Sequence, residues 1–119
     1  MRDLRREGAM ETTTRDVAGC TVIGVKGRLD AETATCFEDH CSTLINEGRR
    51  RVVLDLGELS YVSSAGLRAI LAIAKRLKQG GGGLAVASLT PMVSEVFAIA
   101  GFDRLLPVAP TIEDAVKAL

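Results

Sequence analysis

Tryptophan is absent from these 119 residues, and aromatic side chains of any kind make up only 3% of them, so the core has to be aliphatic. Net charge is missing too. Fifteen basic and 15 acidic residues cancel, which removes the electrostatic footprint of a nucleic-acid binder. No apolar run approaches the ~20 residues of a bilayer span, so no membrane insertion is expected. The opening MRDLRREGAM has basic residues but no apolar region behind them, unlike a secretory signal, and the expected compartment is the cytoplasm. Histidine occurs once, at His40, and the three cysteines Cys20, Cys36 and Cys41 cannot all pair with one another, nor need they in a cytosolic protein. Cys36 and His40 lie one helical turn apart, but two ligands without a further cluster make a poor metal site, so neither metal nor cofactor is expected.

What remains is ordinary for a globular chain: 47% apolar and 25% charged residues, with a length that suits one domain and one modest core. The chain is organised around RVVLDLGELSYVSSAGLRAILAIAKRL, residues 51–77. Val52-Val53-Leu54, closed by Asp55, reads as a buried strand. Leu67, Ile70, Leu71, Ala74 and Leu77 recur at the helical period, with Arg68, Ala72, Lys75, Arg76 and Gln79 on the opposite face. Between strand and helix, Ser63 and Ser64 are the natural N-cap residues. A hydroxyl there lies beside unpaired N–H groups and the positive end of the helix dipole, a favourable place for a phosphate.

The other elements follow in order. Residues 1–10 are polar and aperiodic and predict a loose arm, which leaves 11–119 as the folded domain. Strands are expected at 12–17 and 20–26 around the turn at Ala18-Gly19, with Gly27 breaking the second. Asp30 is a plausible N-cap for a helix carrying Ala34, Phe37, Cys41, Leu44 and Ile45 on its apolar face and ending at Gly48. Cys41 on that stripe reads as a small core residue. The glycine run 80–83 lies after a helix and before a strand, the reverse of a phosphate-cradling loop, so it reads as a turn. A strand at 84–88 leads to a helix opened by Thr90-Pro91, with Val93, Val96, Phe97 and Ala100 inward and Gly101 as its stop. A short strand at 105–108 and a helix from Thr111 close the chain. There Thr111 and Asp114 form a capping-box pattern, and Ile112, Ala115, Val116 and Leu119 face inward. Alternating strands and helices give a mixed α/β sandwich around a largely parallel sheet of four to five strands with about four helices.

A serine at a strand-to-helix turn also fits a hydrolase nucleophile elbow. That motif needs G-x-S-x-G, and with Ser64 as the serine the first glycine is replaced by Val62. The general base would have to be His40, upstream in the middle of a helix. Asp30, Asp55 and Glu58 are acid–base candidates, but capping and solvation at strand ends explain them more simply. An enzyme is therefore not expected.

GRLD at 27–30, VVLDL at 52–56, YVSSAGLR at 61–68, the glycine run before LAVASL and the segment TPMVSEVFAIAGFDRLL together resemble the STAS domain, specifically the bacterial anti-sigma factor antagonists, over residues 12–119. The resemblance implies that the serine two residues before the Gly-Leu pair, here Ser64, is phosphorylated by the partner anti-sigma factor, a serine kinase of GHKL type. It implies reversal by a metal-dependent serine phosphatase. Family members often carry aspartate just before that serine, and this chain has Ser63, which stands as a second candidate acceptor. Asp30 matches the GRLD aspartate near the partner surface, and the implied contact set is Asp30, Ser63, Ser64, Ala65, Gly66 and Arg68. Arg68, one turn on from Ser64, is placed to screen a phosphate or touch the partner. The alternative is a STAS-domain subunit of a lipid or anion transport system without kinase control.

Overall fold

The computed structural model describes the backbone of residues 3–119 and the side chains from residue 8 onward. Among the described residues seven strands form one sheet: β1 (Asp3–Glu7), β2 (Met10–Val17), β3 (Cys20–Leu29), β4 (Arg51–Asp55), β5 (Leu59–Val62), β6 (Gly83–Ala87) and β7 (Val108–Ala109). The same residues form four α-helices: α1 (Ala34–Asn46), α2 (Ser64–Gln79), α3 (Pro91–Ile99) and α4 (Ile112–Lys117). The strand order is β1-β2-β3-β4-β6-β7, with β5 pairing β3. The β1–β2 and β2–β3 pairs are antiparallel, and every other pair is parallel. This is the mixed, largely parallel α/β architecture expected from the alternation of strands and helices.

The buried strands separate by parity. Ile23, Val25, Val52, Leu54, Leu84 and Val86 face the main core with α1, α2 and α3. Cys20, Val22, Val53, Ala85 and Ala87 face the opposite side, where Ala115 of α4 covers them. Alternate residues of one strand point to opposite faces, so strands apolar at every position must be buried on both. The second core is built mostly of small residues, and a helix as short as α4 suffices to close it.

Several elements depart from the sequence reading. Part of the loose arm expected at 1–10 runs as β1, paired along its length with β2, and Met10 is a buried core residue. The turn between them falls at Gly8, whose φ of +56° lets the backbone reverse. Gly27 does not break β3. It sits in a register shift at φ +97°, where a Cβ would come within 2.1 Å of the Ala9 carbonyl oxygen, and the strand runs on to Leu29. After Gly24 β3 exchanges β4 for β5 as its parallel partner, and the shift falls inside that second ladder. The short strand expected at 105–108 is present only as the two-residue β7, which starts at Val108, and a 3-10 turn at Phe102–Arg104 precedes it. Helix α1 begins at Ala34 rather than at Asp30.

Candidate functional site

The site forms where β3 and β5 end side by side. Arg28 pairs with Tyr61 and Leu29 with Val62 in the parallel ladder, and the Ser63 N–H then donates to the Leu29 carbonyl at 3.0 Å. These bonds bring the GRLD and SSAGL segments together, although the chain between them contains all of α1 and β4. Gly66 completes the fit. A Cβ there would stand 2.5 Å from the Leu29 carbonyl oxygen and 3.0 Å from side-chain carbons of Leu29 and Val62. Only glycine lets the first turn of α2 press this closely on the end of β3.

The two serines have different jobs. Ser63, half-buried in an extended conformation, is the N-cap of α2, and its Oγ accepts from the Gly66 N–H at 3.2 Å. Ser64 is the first helical residue, exposed, and its hydroxyl makes no hydrogen bond among the described residues. Ala65 is half-buried, Gly66 buried and Arg68 exposed. The inward face of α2 is Gly66, Ala69, Ile70, Ile73 and Leu77, and the expected Leu67, Leu71 and Ala74 flank it partly buried.

Asp30 is not the cap of α1; Thr33 holds that position without a side-chain cap bond. Asp30 instead organises the turn before the helix. Its Oδ1 accepts from the N–H groups of Glu32 at 3.0 Å and Thr33 at 3.3 Å, while the Thr33 hydroxyl donates to the Arg28 carbonyl at 2.9 Å. Its Oδ2 meets the Arg28 Nε at 3.3 Å. Burial pushes the Asp30 carboxyl up, but the Glu32 and Thr33 N–H groups, the Arg28 guanidinium and the Thr33 hydroxyl together bring it below its ordinary value.

Arg28 and Tyr61 belong to this surface and were not singled out from the sequence. The Arg28 guanidinium carbon lies 4.2 Å from the centroid of the Tyr61 ring, a cation–π contact. One signal was available: Arg28 and Asp30 are two residues apart at a strand end, a spacing that puts both on one face.

The other chemical candidates have structural employment. His40 is buried against β2, its Nε2 3.0 Å from the Thr14 hydroxyl oxygen. Burial, and secondarily the charge of Glu38, pushes the Cys41 thiol up to about 12, so it remains protonated in the core. Among the described residues no group of three or more His, Cys, Asp or Glu side chains could hold a metal ion. Asp55 accepts from the Gly57 N–H at 3.1 Å, and Glu58 lies 3.7 Å from Lys26 on the surface. Among the described residues no helix is long and apolar enough to cross a membrane.

The STAS domain family model matches residues 10–115. The chain is 41% identical over 109 residues to an anti-sigma factor antagonist of Bordetella bronchiseptica, BtrV, covering 92% of this chain and 94% of that one. It is 28% identical over 91 residues to the anti-sigma F factor antagonist of Paenibacillus polymyxa, covering 76% and 78% of the two chains. Among solved structures, an anti-sigma factor antagonist from Mycobacterium paratuberculosis superposes with a TM-score of 0.84 at 27% identity over 92% of each chain. A seven-stranded α/β sheet, a serine-opened helix seated on the end of β3 and these relatives converge: the chain belongs to the STAS domain family, among the anti-sigma factor antagonists.

Proposed function

We infer that this protein binds an anti-sigma factor through the surface formed by Asp30, Ser63, Ser64, Ala65, Gly66 and Arg68, and thereby frees a sigma factor. The partner is a GHKL-type serine kinase that phosphorylates Ser64, and a metal-dependent serine phosphatase restores the binding form. The protein acts as a regulatory ligand rather than as a catalyst. One observation carries the reading: Ser64 is exposed and its hydroxyl has no hydrogen bond among the described residues, while its neighbour Ser63 does the capping of α2. A kinase can therefore take the Ser64 hydroxyl without dismantling the helix.

The physics of a switch follows. A phosphate brings about −1.5 to −2 charges at neutral pH. At the first turn of α2 the helix dipole favours a negative group, so the fold tolerates the modification. A partner that must dry this surface to bind meets a strongly hydrated dianion, and stripping its water costs several kcal/mol. A loss of ~4 kcal/mol is nearly a thousandfold in affinity. The transport-subunit alternative has no observation on its side beyond a shared fold. The test is incubation with the cognate anti-sigma factor and ATP, followed by mass spectrometry of the peptide 62–68. Phosphate on Ser64 is expected. Phosphate on Ser63 alone overturns the residue assignment, and none with an active kinase overturns the mechanism.

A further inference from the structure

The geometry points to Arg28 as the intramolecular cation that receives the phosphate of Ser64. This rests on Ser64 being the modified residue, and it adds a reader to the switch. Arg28 is held from two sides. Its guanidinium carbon lies over the Tyr61 ring, 4.2 Å from the centroid, and its Nε is tied to Asp30 Oδ2 at 3.3 Å. Among the described residues that tie is its one side-chain hydrogen bond, so the edge carrying Nη1 and Nη2 remains open. The Arg28 side chain is 50% exposed, against 20% for Asp30.

This is an arginine oriented in advance with its bidentate edge unused. A guanidinium fork matches phosphate oxygens in spacing and planarity, and holding the side chain beforehand lowers the entropy cost of using it. Its position is fixed relative to the serine by the backbone. Tyr61, opposite Arg28 in the ladder, is three residues before Ser64, and the Ser63 N–H is bonded to Leu29, the residue after Arg28. Nε can keep Asp30 while the Nη pair takes the phosphate, so a clamped phosphoserine sits against the Asp30 surface that the partner is proposed to use. The charged groups around Ser64 in sequence and pairing are Arg28, Asp30, Glu32 and Arg68. Of the two cations, Arg68 is exposed on α2 with no side-chain ion pair or hydrogen bond among the described residues to orient it.

The experiment uses full-length protein with phosphoserine installed at position 64 during translation, so it needs no kinase. Phosphorus-31 NMR titrates the second phosphate proton in the otherwise wild-type protein, in Arg28→Gln and in Arg68→Gln, with circular dichroism confirming that each is folded. A paired cation lowers that proton's pKa below its ordinary value near 6. The expected result is a depression of about half a pH unit or more in the wild type, at least half of it lost in Arg28→Gln and most of it kept in Arg68→Gln. No depression in the wild type, or a depression that survives Arg28→Gln, overturns the assignment. Failure of the kinase reaction leaves this titration unaffected, so a wrong acceptor and a wrong reader are told apart.

Discussion

Replacing Ser63 and Ser64 by alanine, one at a time, separates the capping serine from the exposed one. In the wild type Ser63 Oγ accepts from the Gly66 N–H at 3.2 Å. Gly66 is buried, so alanine at 63 leaves a donor that water reaches poorly. N-cap Ser→Ala costs ~0.5–2 kcal/mol, and this burial favours the upper half of that range. Ser64 has no side-chain hydrogen bond to lose among the described residues and already lies on the helix, where alanine is the better helix former, so Ser64→Ala stays within ~0.5 kcal/mol of wild type. Unfolding entropy of ~2.1 cal/mol/K per residue over 119 residues gives ~250 cal/mol/K. A loss of ~1–2 kcal/mol thus lowers Tm by about 4–8 °C for Ser63→Ala, against about 2 °C or less for Ser64→Ala. Differential scanning calorimetry of the three proteins reads both shifts. A Ser64→Ala loss as large as that of Ser63→Ala, or a Ser63→Ala protein melting with wild type, refutes the assignment of the cap.

Two more predictions concern the frame of the site. Gly66→Ala places a Cβ 2.5 Å from the Leu29 carbonyl oxygen; urea unfolding should register a loss of ~1–3 kcal/mol, and a neutral result would mean that the contact between α2 and β3 is looser than described. Asp30 should titrate below the ordinary ~3.9 of aspartate, because its hydrogen bonds outweigh the opposing effect of burial. Its folded value is depressed, so its contribution to stability is complete above the unfolded value and disappears as pH falls through the folded one. Carboxyl-carbon NMR that finds a midpoint at or above the ordinary value contradicts the hydrogen-bond account.

Much of this was legible in the sequence because it depends on local pattern. The apolar runs of β3, β4 and β6 announced buried strands, and Thr90-Pro91 and Thr111 marked helix starts that their cap bonds bear out. β5 was hidden because only Leu59 and Val62 of its four residues are buried, which is neither an alternation nor a run. The start of α1 was misplaced because Asp30 offers the right group for a cap but spends it on the turn one step earlier. Two adjacent serines look equivalent to any local rule, and only the extended backbone of Ser63 separates their roles. The Arg28–Tyr61 stack depends on a parallel pairing between distant segments, and no local period encodes it.

A phosphate on Ser64 that switches docking without refolding the protein would show itself in affinity. Isothermal titration calorimetry would compare the cognate anti-sigma factor's binding to the unmodified protein and to protein stoichiometrically phosphorylated at Ser64, with circular dichroism run on both. The phosphorylated form should bind more weakly by about a hundredfold or more, equivalent to ~3 kcal/mol, while the two forms share the same spectrum. Equal affinity for the two folded forms, or a loss of binding accompanied by loss of helix, would contradict such a switch.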